Sequence, residues 1–108
     1  LRLMRVFMNM ANCYSLLEDY PTALERLYTV RSYGDRHQLT HKMGSVYSNL
    51  VVLNLKQQDY VSMRNYAHQS LAIFEANQSA ANVGIAHYNL GLAYYYLDIL
   101  DTATYHLQ

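Results

Sequence analysis

The chain has 108 residues, enough for one domain at most, and 52% of them are hydrophobic. Eight Lys and Arg residues balance eight Asp and Glu residues without any basic run, which excludes an electrostatic footprint for nucleic acid or for a membrane surface. One proline and four glycines favour long helices over a turn-rich β fold, and no apolar run approaches the roughly 18 residues of a transmembrane helix.

The first predicted unit covers residues 1–37 and consists of two helices joined by a short turn. Asp19 is expected to cap the second helix, because its carboxylate can accept hydrogen bonds from the first free amides. Pro21 then falls in the first turn, where a missing N–H costs nothing. The pair Gly34-Asp35 is predicted to break the chain before the second unit.

The second predicted unit covers residues 38–77. Its first helix is expected from Gln38 to Lys56, with a 3.6-residue apolar period through Val46, Tyr47, Leu50, Leu53 and Leu55. The turn Gln57-Gln58-Asp59 ends that helix, and Asp59 is the expected N-cap of a second helix from Tyr60 to Glu75. The next break is predicted at Asn77-Gln78-Ser79.

The third predicted unit covers residues 78–108 and is expected to be a hairpin as well, with Asp98 or Asp101 capping its second helix. Short connections make neighbouring helices antiparallel. The sequence therefore predicts an all-α chain of about six helices in three hairpins. Because the chain starts at Leu1 and ends at Gln108 inside an amphipathic pattern, we expect it to be a fragment of a longer protein.

The three units are repeats of one pattern, because a shift of 40 residues brings Asn9, Asn49 and Asn89 into register. The shift also aligns segments 7–14, 47–54 and 87–94, which read FMNMANCY, YSNLVVLN and HYNLGLAY. A single hairpin cannot bury both of its faces, so stacked copies are expected to share a core. Small residues are expected where helices cross closely. These positions are Ala11, Val51 and Gly91 in the first helices and Ala23, Met63 and Ala103 in the second, with Val51 and Met63 as bulky exceptions.

This pattern resembles the tetratricopeptide repeat over essentially the whole chain. The third unit matches it with His87, Leu90-Gly91, Tyr94, Leu100, Ala103 and Leu107, and the first with Phe7, Met10-Ala11, Tyr14, Tyr20, Ala23 and Leu27. The middle unit departs from it at Val51, Asn54 and Met63. The resemblance implies an α-solenoid of three hairpins wound into a right-handed superhelix, with Tyr94 in its core.

The 40-residue spacing is similar to a longer subclass of the repeat. That subclass includes kinesin light chain, Leu-Gly-Asn-type polarity adaptors, maltose-regulator-type activators and Rap/PlcR-like bacterial regulators. HEAT repeats have a similar period, but their usual proline and Asp/Arg pair are not seen here. The resemblance implies that the first helix of each hairpin lines a concave groove that holds a protein or an extended peptide.

Counting along those helices gives the residues that the resemblance places in the groove. They are Arg5, Met8, Asn9 and Asn12 in the first unit, Ser45, Ser48, Asn49, Val52 and Lys56 in the second, and Ile85, Tyr88, Asn89, Leu92 and Tyr95 in the third. Too few of these residues are basic for a clamp on the C-terminal carboxylate of a chaperone.

The three aligned asparagines form a ladder with two readings. A side-chain amide has one acceptor and two donors, so it can pair with both the C=O and the N–H of an extended peptide backbone. Alternatively, Asn9, Asn49 and Asn89 bridge adjacent helices or helix ends. Two readings also exist for Tyr88 and Tyr95, which are either anchors for a ligand side chain or packing surfaces for a following helix.

No catalytic residue, metal ligand or cofactor site is predicted. His37 and His41 have helical i, i+4 spacing, but no HExxH motif or third ligand accompanies them. No phosphate-binding glycine loop and no GxSxG motif occurs. Cys13 is the lone cysteine and is expected to pack as a small hydrophobe. It is compatible with a reducing, cytoplasmic location, but a cysteine-poor periplasmic chain would look the same.

The sequence thus predicts a non-enzymatic module that binds a protein or an extended peptide. Two alternatives stay open, namely a ligand-sensing domain of a larger signalling or transcription-regulating protein and an oligomerisation element. The last rests on the predicted lack of a polar capping helix, which leaves the apolar stretch from Tyr94 to Leu107 available for self-association. Nothing in the sequence identifies the partner.

Overall fold

A computed structural model describes the backbone of residues 2–107 and the side chains of residues 3–99. Five α-helices follow one another: α1 (Arg2–Leu16), α2 (Tyr20–Arg36), α3 (Gly44–Lys56), α4 (Tyr60–Ala76) and α5 (Ala80–Leu107), with a short 3₁₀ helix at Thr40–Lys42. The described residues contain no strand, so the predicted all-α class is confirmed. Each helix packs against the next one in the chain, and α3 also contacts α5.

Four connections share one backbone geometry. Their central residues are the only non-glycine residues with positive φ among those described, and they recur every 20 residues as Glu18, Gln38, Gln58 and Gln78. The amide after each central residue donates to a carbonyl five residues back, at 2.8–3.0 Å, as in the Schellman motif. These bonds satisfy carbonyls that the helix end would otherwise leave free. They offset the cost of a left-handed residue that carries a side chain.

The two predicted N-caps are confirmed. An Oδ1 atom of Asp19 accepts a hydrogen bond from the Thr22 amide at 3.4 Å, and that of Asp59 accepts one from the Ser62 amide at 3.2 Å. Asp59 also accepts the Ser62 hydroxyl at 2.7 Å. Pro21 lies in the first turn of α2, as predicted. The predicted extent of α4 is also close, since the helix runs one residue beyond Glu75.

The predicted start of the second unit is wrong in two respects. Gly34-Asp35 does not break the chain but lies inside α2, and the helix expected from Gln38 begins only at Gly44. Gly34 is needed for packing and not for a turn, because a Cβ there would lie 2.5 Å from the Met43 Sδ. The segment between the two helices therefore places the Met43 side chain in the core, where it is fully buried. Gln38 supplies the left-handed turn instead.

The third unit does not form the predicted hairpin. α5 runs without a break from Ala80 to Leu107, so the described backbone has five α-helices in place of the expected six, and Asp98 and Asp101 lie within that helix and not at a helix start. Asp98 occupies the register of Glu18 and Gln58, so a turn there would put Ile99 at the N-cap position. Isoleucine has no side-chain acceptor for the free amides, which favours continuation of the helix.

The core consists of two clusters. The larger one is centred on the fully buried Leu27, Met43 and Leu50, which join α2, the segment before α3, and α3. The smaller one joins α3, α4 and α5 through Val51, Met63, Ala67 and Ala93. Ala11 and Ala23 are buried, as expected for close helix crossings, but Gly91 is exposed, and a Cβ built on it would touch nothing within 4 Å. The side chain of Ala103 lies outside the described residues.

Candidate functional site

All the predicted groove residues of the first two units except Ser48 and Lys56 line two adjoining depressions between α1 and α3. The wider depression, about 420 Å³, is lined by Met4, Arg5, Met8, Asn9, Asn12, Lys42 and Ser45. The narrower one, about 80 Å³, is lined by Ala11, Asn12, Ser15, Leu27, Asn49, Val52 and Leu53. Asn12 lines both, so they form one continuous surface, which we call the α1–α3 groove.

The amide side chains of this groove make no hydrogen bond to another described residue. Among the described residues, no side-chain hydrogen bond involves Asn9, Asn12, Asn49 or Asn89. The bridge between helices that the structural reading of the ladder requires is therefore not observed for these side chains.

Other asparagines of the chain do make such contacts. Buried Asn54 donates to the Leu50 carbonyl at 2.7 Å, one turn back in the same helix. Asn77 donates to the His41 carbonyl at 2.9 Å, and Asn82 donates to the Ser79 hydroxyl at 2.8 Å. Structural asparagines and groove asparagines are thus distinguished by their partners.

The wider depression is positively charged. Arg5 and Lys42 are both exposed and line it together, and none of its seven lining residues is acidic. The remaining polar groups are the amides of Asn9 and Asn12 and the hydroxyl of Ser45, all of which can donate hydrogen bonds. The narrower depression is mainly apolar, with Ala11, Leu27, Val52 and Leu53 in its walls.

The remaining groove candidates line neither depression. Ser48 is half-buried on α3, and the exposed Lys56 has its Nζ 5.8 Å from the centre of the Tyr20 ring, a cation–π contact. On α5, Asn89 is half-buried and Ile85 is exposed. The structure therefore brings together the α1 candidates with Ser45, Asn49 and Val52, and leaves Ser48, Lys56 and the α5 candidates outside the depressions.

The α5 candidates differ in exposure. Tyr88 and Tyr95 are 69% and 61% exposed, so neither packs against another described helix to any large extent. Leu92 instead packs against the smaller core cluster. An exposed ring of this kind is available to a ligand or to a further helix.

Two residues predicted to be buried are exposed. Tyr94 is 48% exposed, and its hydroxyl lies 2.9 Å from the His68 Nε2 on α4. Because α5 does not turn back, no second helix of the third unit covers this tyrosine. Cys13 is also exposed and lines an apolar depression of about 490 Å³ on α1, together with Val6, Met10 and Leu17 among others.

Lys42 and Met4 are groove residues that the sequence prediction missed. Lys42 lies in the 3₁₀ helix before α3, so a helical count along α3 does not reach it. Its position beside Arg5 depends on the packing of the segment between α2 and α3. Met4 is nearly buried, and only the packing of α1 places it at the edge of the depression.

A cluster of aromatic residues away from this groove ties α2, α3 and α4 together. The Arg31 Nη1 donates to the Tyr66 hydroxyl at 2.8 Å, and the Tyr66 ring stacks on that of Tyr47 with their centres 5.8 Å apart. Burial raises the pKa of Tyr28 and of Tyr47, because the charged phenolate is poorly solvated there.

Across the side chains that the structure describes, no three His, Cys, Asp or Glu residues are grouped as a metal site requires. In the same part of the chain, no helix combines the length and apolarity needed to cross a bilayer. No protein-family model, curated protein or solved structure matches this chain.

Proposed function

We propose that this chain is a peptide-binding module, with the α1–α3 groove as its binding surface. In this proposal the helices form a tetratricopeptide-type array, wound as a right-handed superhelix, with α1, α3 and α5 on its concave side. The observation that carries the proposal is the set of groove amides at Asn9, Asn12 and Asn49 without a hydrogen-bond partner in the described protein.

Unpartnered amides along a groove suit an extended polypeptide. Each amide can accept one peptide N–H and donate to a peptide C=O, so the backbone of the ligand is held whatever its sequence. Such contacts resemble the addition of a strand to a sheet edge, where main-chain hydrogen bonds give affinity and side-chain pockets give specificity. Here the two depressions on either side of Asn12 are the side-chain pockets.

The experiment is binding of a displayed library of short, unstructured peptides to the whole chain, with Asn49→Ala as the test variant. We expect Asn49→Ala to lower the affinity for the selected peptides about fivefold to tenfold, which corresponds to the loss of one or two hydrogen bonds. Its melting temperature should stay the same or rise slightly, because alanine is the better helix former.

Asn82→Ala is the matched control, since Asn82 has a partner in Ser79 and lies outside the groove. This variant should bind as the wild type does. If Asn49→Ala lowered the melting temperature and left peptide binding unchanged, the amide would be structural and the proposal would be wrong. A sensing role in a larger protein would use the same groove and give the same result.

Self-association is a second candidate function that one observation favours. Val6 on α1 and Leu17 just after it line one apolar depression, and Tyr88 and Tyr95 on α5 are exposed aromatic residues. Exposed apolar patches of this kind mark interaction surfaces. Light scattering over a range of concentrations tests this candidate, and a monomer at every concentration would exclude it.

A further inference from the structure

Charge is distributed unevenly between the helices of this neutral chain. α1 and α3 contain no Asp or Glu. The acidic residues before α5 lie instead in α2, in α4 and in the turns that end in Asp19 and Asp59. The α1–α3 groove therefore has two cations, Arg5 and Lys42, and no carboxylate among the residues that line its wider depression.

The two cations lie beside the asparagine ladder and not on it. Arg5 is four residues before Asn9, which places it about 6 Å away along the helix axis. Lys42 is seven residues before Asn49 and is displaced in the same direction along the chain. If the main chain of a bound peptide follows the amides, one of the peptide's side chains would therefore contact these cations. The peptide's C-terminal carboxylate, which ends the main chain, would not lie there.

The polar groups around these cations are suited to a carboxylate. The Arg5 guanidinium can bind both oxygens of a carboxylate through two parallel hydrogen bonds, and Lys42 adds a second charge. The Asn12 amide and the Ser45 hydroxyl can donate further hydrogen bonds. No acidic side chain of the same depression competes for these donors.

The second depression predicts the residue beside the acidic one. Successive side chains of an extended peptide point to opposite sides of the main chain. Val52, Leu53 and Leu27 give the narrower depression apolar walls, and its volume of about 80 Å³ suits a small aliphatic group. An acidic side chain in the wider depression would thus have an aliphatic neighbour in the narrower one.

We propose that the α1–α3 groove binds an extended peptide in which an Asp or Glu side chain lies between Arg5 and Lys42 and an aliphatic residue adjoins it in sequence. This inference rests on the proposed function and adds the chemical class of the partner. It assigns Lys42, a residue of the 3₁₀ helix, to partner recognition.

The test uses three degenerate libraries of short peptides that differ at fixed positions only. The first has Glu at its centre and an amidated C-terminus, the second has Gln at its centre and the same amide, and the third has the central Gln with a free C-terminal carboxylate. Binding of each library to the whole wild-type chain is compared with binding to the Arg5→Gln/Lys42→Gln double variant. Arg36→Gln is the control, because Arg36 is an exposed cation on α2 outside the groove.

We expect the wild type and Arg36→Gln to bind the Glu library about tenfold more tightly than the amidated Gln library, the size of one charge-assisted interaction. The double variant should lose that preference and bind both amidated libraries equally. The preference should also shrink as salt concentration rises. Unchanged helicity of the double variant, which is expected for two exposed residues, shows that folding is not the cause.

Equal binding of the Glu and Gln libraries by the wild type would overturn the inference and leave the proposed function intact. A preference for the free C-terminus over both amidated libraries would overturn it too, since the carboxylate would then come from the chain end. If no library bound the wild type at all, the proposed function itself would fail. A Glu preference that persisted in the double variant would show that the acidic group is recognised elsewhere.

Discussion

The second and third units provide an internal comparison, because residues of equal register have different surroundings in α3 and α5. Leu50 is fully buried in the larger core cluster, whereas its counterpart Leu90 is only partly buried. Asn54 is buried at the position where Tyr94 is half exposed. Val51 is buried where Gly91 is open to solvent.

The comparison shows that residues of equal register in the repeat are not equally buried. α3 lies between α2 and α4 and also contacts α5, so its wide apolar face is covered on several sides. α5 has α4 as its main neighbour and no helix of its own hairpin against it. Because α5 has fewer neighbouring helices, its residues are expected to contribute less to stability than their counterparts in α3.

The largest expected effect comes from truncating the two equivalent leucines. We predict that Leu50→Ala lowers the free energy of unfolding by about 2–5 kcal/mol, because it leaves a cavity in the larger core cluster. Leu90→Ala should lower the free energy of unfolding by about 1 kcal/mol, which is typical of a partly buried site. Urea titration of both variants measures the difference, and equal losses would show that α5 is packed as tightly as α3.

Two glycines give the next comparison, with effects of opposite sign. We predict that Gly44→Ala destabilises the protein by about 1–3 kcal/mol, because the new Cβ would collide with the buried Phe74 ring. Gly91→Ala should stabilise it by about 0.5–1 kcal/mol, since the site is open and alanine is the better helix former. Thermal melts of the two variants check this. A loss of stability in Gly91→Ala would mean that another helix approaches α5 at this point.

The sequence predicted the helical class, the 40-residue period, the caps at Asp19 and Asp59 and the turn at Asn77-Gln78-Ser79, because each is a local property. It did not predict the continuity of α5. Whether the chain forms a hairpin or one long helix depends on the residue at the N-cap position, here Ile99, which has no side-chain acceptor. It also depends on which other helices pack against this segment. The N-cap residue is visible in the sequence, but the packing is not.

The groove was predictable to a similar extent. The resemblance and a count along the first helices predicted Asn9, Asn12 and Asn49 on one surface, and these residues line the two depressions. The pairing of Arg5 with Lys42 was not located, because the structure of the segment between α2 and α3 depends on how Met43 packs against Gly34. That tertiary contact sets the 3₁₀ helix and so the position of Lys42.

The turns provide a comparison of smaller effects. We predict that Asp59→Ala lowers the free energy of unfolding by about 1 kcal/mol, because the carboxylate accepts hydrogen bonds from both the amide and the hydroxyl of Ser62. In the third unit, Asp98 corresponds to Gln58, the residue just before Asp59. Asp98→Ala should change the free energy of unfolding very little, since Asp98 lies within α5 and caps no helix. Urea titration distinguishes the two. A comparable loss in Asp98→Ala would indicate a turn at that position in solution.

The smallest expected effect concerns alkaline pH and Tyr47, which lies between α2 and α4. Burial raises the pKa of its phenol above 10.0, so the folded state favours the neutral form. A raised pKa contributes stability that is fully present below about pH 10 and is lost as the pH rises through the folded value.

Tyr47→Phe cannot ionise, and the Tyr47 hydroxyl makes no hydrogen bond to another described side chain. We therefore predict that this variant matches the wild type in stability near neutral pH and loses less stability between about pH 9 and pH 11. Urea titrations at several pH values measure this, and parallel curves for the two proteins would show that ionisation of Tyr47 does not contribute to alkaline unfolding.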